Sequence, residues 1–363
     1  MSCSIFRESL LNQERGIRWS FPFIQPSLPL HNQPRVIQNT ISSPTNGTIR
    51  RAPPVYMRGK EDYLVYLNLD GQVVLTFLQD SPRASLLTDP QEKALKFLLR
   101  EDCLYLVIMH PVETHLRFYK VLPSDLRKGI FYRERIMTQT TFTPSSLRQV
   151  DSKYSKLIFQ DSSHFSVWDL DSESQVFECL DSFNASVWYS RNSVIQTSST
   201  TDGTVFNITR LSGGQKYSIK LLGLFEFFQI EVIDNLLVVG SNHVHVFDFE
   251  ARENYGIRNV PPKFYLETEQ LSDAFIVFGD GTGRFVSSPE REVRLNCFRP
   301  LFTDCMDLLI VYDSGKISFI DPVFGTCTET QVDVCRTVSC VGVNEDTLEV
   351  YLGCDNGLIL ILE

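Results

Sequence analysis

The stretch Tyr63-Leu-Val-Tyr-Leu-Asn-Leu-Asp-Gly-Gln-Val-Val-Leu-Thr-Phe77 sets the reading of the whole chain. Two runs rich in Val, Leu and aromatic residues flank Asp70-Gly71. Aromatic and β-branched side chains suit a pleated, half-buried surface. Asp-Gly tolerates the positive φ that a tight turn between antiparallel strands demands. The stretch therefore predicts a strand, a turn and a returning strand.

The same texture recurs. Leu104 to Met109 leads through His110-Pro111 to Leu116-Arg-Phe-Tyr119, and Leu157-Ile-Phe159 leads through Asp161-Ser-Ser163 to Phe165-Ser-Val-Trp168. Val194-Ile195 precedes Asp202-Gly203 and Val205-Phe206, and Leu236 to Gly240 precedes Ser241-Asn242 and Val244 to Phe247. Three more follow: Phe275 to Val286 around Asp280-Gly281, Leu308 to Ile320 around Asp313-Ser-Gly315, and Leu348 to Leu362 around Asn356-Gly357. The turns, at residues 70, 110, 162, 202, 242, 280, 314 and 356, stand 40, 52, 40, 40, 38, 34 and 42 apart.

A hairpin period near 40 is the sequence mark of a propeller, in which a four-stranded blade buries each face against a neighbour. The expected fold class is all-β: a seven- or eight-bladed β-propeller with an irregular N-terminal arm. Eight hairpins give eight blades, or seven if one hairpin is an insertion. Regular spacing from residue 70 to residue 356 favours a ring over stacked sandwiches. Helical signals are thin. Asp89 to Arg100 carries the best of them and reads equally as a strand with a polar lead-in. The sequence stops within a strand at Glu363, so ring closure calls for a strand donated from near Val55.

Residues 1–54 differ in texture from the propeller assigned to 55–363. Pro-rich stretches such as Phe21 to Leu28, and Ser42-Ser-Pro-Thr-Asn-Gly47, read as irregular, with a short helix near Ser4 to Gln13. Trp19, Phe21, Phe23 and Ile24 either pack on the domain's own surface or form a partner-docking arm.

Composition narrows the function. The 26 Phe and 13 Tyr support a β reading. A net charge of −10 disfavours nucleic acid, whose binders carry a basic face; Arg50-Arg51 and Arg127-Lys128 are isolated basic pairs. Nine Cys without a C-x-x-C pair exclude a zinc ribbon or a thioredoxin-type motif. Arg7 and Glu8 interrupt any signal-peptide core, and apolar stretches such as Gly357 to Leu362 fall far short of the roughly 18 residues of a membrane helix. The sequons at Asn46, Asn184 and Asn207 carry no weight without secretion. The expectation is a cytosolic or nuclear protein with protein partners, no nucleic acid and no membrane.

Catalytic patterns do not assemble. Gly279-Asp-Gly-Thr-Gly283 lacks the spacing of either nucleotide fingerprint and precedes a strand, Arg284-Phe-Val286, so it reads as a hairpin turn. His243 and His245 share one strand face but have no further metal ligands nearby. The acidic pairs Glu61-Asp62, Glu101-Asp102 and Glu345-Asp346 read as solvated loop charges, and no G-x-S-x-G elbow is present. The chain is expected not to be an enzyme and to carry no cofactor and no metal.

Two resemblances point the same way. Ser166-Val-Trp168-Asp169-Leu-Asp-Ser-Glu173 resembles the end of a WD repeat, and Asp248-Phe249 and Ile320-Asp321 fill the same place in degenerate form. The Gly-His pair of such repeats is missing. Lys220 to Glu226, Asn235 to Phe249, Ile257 to Phe264 and Leu271 to Phe275, with Pro53 to Gly59, resemble the cullin-4-associated substrate receptors. That resemblance implies a non-catalytic scaffold that binds the damaged-DNA-binding adaptor of cullin-4 ubiquitin ligases and presents a substrate. The alternative is a generic WD-like scaffold subunit of another intracellular complex. Many such receptors end a box in Trp-Asp-x-Arg, whose Arg contacts the adaptor; here Asp171 stands in the Arg position, with reversed charge. Trp168, Asp169 and the arm residues Trp19, Phe21, Phe23 and Ile24 are the candidate partner contacts.

Overall fold

The structure is a computed structural model, and it describes residues 35–36 and 52–362 apart from short stretches at 79–82, 101–102, 111, 113–114, 139–141, 162–163, 181–185, 225, 242–243, 250–252, 258–261, 267–274, 279–280, 287–291, 296–299, 306–307, 322–326 and 333–336. Its strands form eight four-stranded antiparallel sheets, the blades of a β-propeller. Seven blades are meanders of consecutive strands. Blade 1 holds Pro54–Lys60, Tyr63–Asn68, Val73–Phe77 and Arg83–Leu86. Blade 2 holds Lys93–Leu99, Leu104–Met109, Leu116–Val121 and Glu134–Ile136. Blades 3 to 7 begin at Leu147, Ser186, Gln229, Pro262 and Leu301.

Blade 8 is composite. Val338–Val343, Val350–Cys354 and Ile359–Leu362 supply three strands, and Arg35–Val36 supplies the fourth, pairing with Ile361 and Leu360. The donated strand is therefore not the one near Val55; Pro54–Lys60 is the first strand of blade 1. Donation covers an edge that would otherwise expose unpaired backbone groups.

All eight hairpins expected from the sequence are the second-to-third turns of the eight blades. The Ser314-Gly315 turn has φ of 54° and 86°, the double left-handed conformation of a turn that matches strand twist. Asp89 to Arg100 resolves as the strand Lys93–Leu99, with an irregularity between Ala94 and Lys96; its helical pattern yields to pairing with Leu104–Met109. The one long hairpin gap comes from two long links, residues 122–133 within blade 2, which contain a short helix, α1, Pro123–Arg127, and residues 137–146 between blades 2 and 3.

The chain divides into two compact units, Met1–Glu92 with Asp333–Glu363, and Lys93–Val332. In the second unit, alternate residues of one strand face opposite neighbours. Leu157 and Phe159 pack toward blade 2, while Ile158 packs toward Val187 and Tyr189 of blade 4. Val239 and Leu237 join blade 4, and Val238 joins Ile276 and Phe278 of blade 6. Phe275 and Val277 then face Leu309 and Val311 of blade 7. The central strands of blades 3 to 6 are thus covered on both faces, which is why they read as unbroken apolar runs rather than alternating ones.

In the first unit, Met57, Leu64, Tyr66 and Leu86 of blade 1 pack on Cys340, Tyr351, Ile359 and Ile361 of blade 8. A fully buried Asn344 fastens the two. Its Nδ2 donates to the Glu61 carbonyl at 3.0 Å and to Tyr351 Oη at 3.1 Å, and its Oδ1 accepts from the Asp346 and Thr347 amides. The Glu61 amide donates to Asp346 at 2.7 Å, so two of the acidic loop residues serve blade contact.

Candidate protein-docking surface

Antiparallel meanders place the second-to-third turn and the link to the next blade at one end of each sheet; the other two turns lie at the opposite end. First strands begin at the former end. Two of them are open to solvent there: Lys93–Leu99 starts exposed and ends buried, and Leu147–Asp151 is not fully buried anywhere along its length.

These opening residues enclose a cavity of about 790 Å³ within the second unit. Leu95 and Lys96 come from blade 2, Leu147 to Val150 from blade 3, Ser186 to Tyr189 from blade 4, and Phe228 to Glu231 from the start of blade 5. Gln160 and Phe165, flanking the second-to-third turn of blade 3, complete the wall. The cavity therefore opens at the hairpin end. Exposed apolar side chains stand at the same end of these blades: Val112, Leu180, Leu222 and Phe228, the last 53% exposed.

The far ends of the first strands are stapled together. Tyr189 Oη donates to Asp151 Oδ2 at 2.7 Å, linking blades 3 and 4. Ser190 Oγ donates to Glu231 Oε2 at 2.5 Å and accepts from the Val232 amide at 3.0 Å, linking blades 4 and 5. Burial pushes the Asp151 carboxyl above its ordinary range, outweighing the Tyr189 hydroxyl and the Tyr154 amide that favour its charged form. Burial and the neighbouring Asp151 drive the Tyr189 phenol upward as well. These groups hold the strands in place, and the donors left for a ligand lie nearer the mouth.

The electrostatics of the mouth are cationic. Glu231, the carboxylate among the described lining residues, is already engaged by Ser190 and Gln229. Lys96 and Arg148 bring positive charge, and the exposed Arg148 side chain makes no hydrogen bond or ion pair with any described residue. The Trp188 Nε1–H is buried without a partner among the described residues, its ring tilted against Phe227 at 6.1 Å. The described lining contains neither His nor Cys. Cations, amides and aromatic faces of this kind suit recognition of a peptide with acidic and apolar side chains.

Sequence-expected site residues fall elsewhere. Trp168, half-buried in the third strand of blade 3, meets Phe142 edge-on at 5.3 Å. Asp169 forms an ion pair with Lys156 and accepts the Ser172 amide at 2.8 Å. Burial raises its pKa, but Lys156 and Ser172 together hold it below the ordinary value. Asp171 accepts from Tyr105 Oη at 3.1 Å and lies 3.7 Å from Arg100, tying blade 3 to blade 2. Trp19, Phe21, Phe23 and Ile24 lie outside the described residues. His243 does too, whereas His245 sits in the third strand of blade 5. Gly281 and Gly283 belong to a hairpin, with Gly283 paired to Val277.

Lys96, Arg148, Trp188 and Phe228 escaped the sequence reading because the tight-turn signals mark the second and third strands of each blade and not the first. A weaker signal exists: each lies shortly upstream of a conspicuous second strand, where a four-stranded blade requires one more strand.

No known family profile matches the chain, and no curated protein sequence matches it. Solved structures do. The computationally designed protein Ika8 is similar over 89% of this chain and 99% of its own, at 12% identity and a TM-score of 0.51. The eight blades of this chain make it a β-propeller. PorZ, a surface component of the type-IX secretion system of Porphyromonas gingivalis, aligns over 88% of this chain and 38% of its own at 10% identity and a TM-score of 0.47. The WD40 β-propeller domain of Doa1 aligns over 87% and 94% at 9% identity and a TM-score of 0.39. At 12% identity the likeness to Ika8 speaks to fold alone.

Proposed function

We propose that this chain is a non-catalytic protein-interaction scaffold that captures an acidic, apolar-bearing segment of a partner at the mouth of the cavity in blades 2 to 5. One observation supports this most: unpaired Arg148 stands with exposed Phe228 over a concave wall built from four rigid first strands. A photo-crosslinking amino acid introduced at Phe228 tests it in cells. The reading expects a defined protein adduct from Phe228 that is absent when the label sits at Val176, on a fourth strand. Equal labelling from both positions would rule it out.

The finer reading is a substrate receptor of a cullin-4 ligase, working in the cytosol or nucleus without nucleic-acid or membrane partners. The resemblance around Lys220 to Phe275 supports it. Asp171 is committed to Arg100 and Tyr105, so adaptor contact on this reading falls to Trp19, Phe21, Phe23 and Ile24 rather than to the Trp168-Asp169 box. Deleting all of 1–54 is a poor test, because it also removes the strand Arg35–Val36. The full chain with those four arm residues changed to Ala is the better one. It is expected to lose co-purification with the damaged-DNA-binding adaptor, and retention of the adaptor would remove the arm from the proposal.

A further inference from the structure

The link between the third and fourth strands of blade 2 is unlike its counterparts. It runs through residues 122–133, twelve residues, against four to six in blades 1 and 3 to 7. Buried Pro123 and Leu126 anchor α1 and fix the segment on the blade. Of its other apolar residues Phe131 is half-buried, and three point outward: Leu122, Ile130 and Tyr132 are 39%, 53% and 63% exposed. Long, ordered insertions in a regular repeat are disproportionately functional.

The charge pattern reverses that of the chain. From Lys120 to Arg135 there are five cations, Lys120, Arg127, Lys128, Arg133 and Arg135, against the two carboxylates Asp125 and Glu134, in a protein of net charge −10. Lys128 lies 3.8 Å from Asp125 on the surface. Arg133 is stacked with its guanidinium 4.5 Å from the centre of the Tyr119 ring. The Arg135 side chain is exposed and makes no hydrogen bond or ion pair with a described residue. The link lies at the end of blade 2 opposite the cavity mouth.

We propose that this insertion is a second docking surface, whose occupant is a short acidic protein segment carrying apolar side chains. Charge complementarity selects an acidic partner, and three exposed apolar side chains among the cations select one with hydrophobic anchors. A duplex or an anionic bilayer would extend well past the patch and meet the chain's prevailing negative charge, whereas a short segment stays within it. The surface does not depend on the cavity, and neither proposal needs the other.

Selection of a random peptide library against the full chain tests the assignment. Counter-selection uses full-chain Ile130→Ser/Tyr132→Ser and Arg127→Glu/Arg135→Glu variants, all at exposed positions and checked for unchanged melting. The expected outcome is enrichment of peptides that interleave Asp or Glu with Leu or Phe, bound at least about tenfold more weakly by either variant. No enrichment, an enriched motif without acids, or equal binding to the variants overturns the proposal. So does retention of a DNA duplex or of phosphatidylserine vesicles by the wild type, lost in the Arg127→Glu/Arg135→Glu variant, with no acidic peptide selected.

Discussion

Asp151 and Asn344 show how single polar side chains govern this molecule. Folding favours the protonated Asp151 carboxyl, because burial outweighs its hydrogen bonds. A carboxyl whose folded pKa is raised contributes stability below its ordinary value and loses it as pH rises through the folded value. The wild type should therefore fall in stability relative to Asp151→Asn, which cannot ionise, as pH is raised from 4 to 7. Thermal melts across that range check it, and a gap moving the other way contradicts the burial argument. Asn344→Ala removes four hydrogen bonds from a fully buried position and should cost about 2–4 kcal/mol in denaturant unfolding. Asp169→Ala leaves Lys156 without its carboxylate partner in a largely dry site, a loss of about 3 kcal/mol. If Trp168-Asp169 is there for packing alone, partner binding survives at temperatures below the lowered melt.

At the scale of the strand, legibility follows burial. Second and third strands such as Leu104–Met109 and Phe275–Phe278 are covered on both faces, so their apolar runs stand out in the sequence. Ser174–Cys179, a fourth strand, is exposed or half-exposed throughout and offers no such run. First strands mix polar and apolar residues where they line the cavity, which is why Lys93–Leu99 carries a helix-like pattern and why Arg148 drew no notice. Arg35–Val36 is only two residues long and pairs with a strand far along the chain, a relation no local pattern records. Close strand approach also leaves a mark. A Cβ on Gly342 would sit 2.7 Å from the Met57 backbone oxygen, which cannot swing aside. Gly342→Ala should accordingly destabilise the chain by about 1–3 kcal/mol, measured by urea unfolding; an unchanged midpoint would mean that the two strands are further apart.

Across the whole chain, the eight blades supply rigid strands, and chemistry is left to the residues that the strands do not bury. In the Lys93–Val332 unit these residues gather at two places, the cavity mouth with Arg148 and Phe228 and the blade 2 insertion with Ile130, Tyr132 and Arg135. Among the described residues no group of three His, Cys, Asp or Glu side chains is placed to hold a metal ion, and no helix is long and apolar enough to cross a membrane. The central claim is that the chain works by holding proteins at the cavity mouth. Quantitative affinity purification of the tagged full chain, beside an Arg148→Glu/Phe228→Ala variant with a matched melting temperature, tests it most directly. The account predicts a defined set of co-purifying proteins that falls by more than about tenfold in the variant. An identical set at identical levels would contradict it.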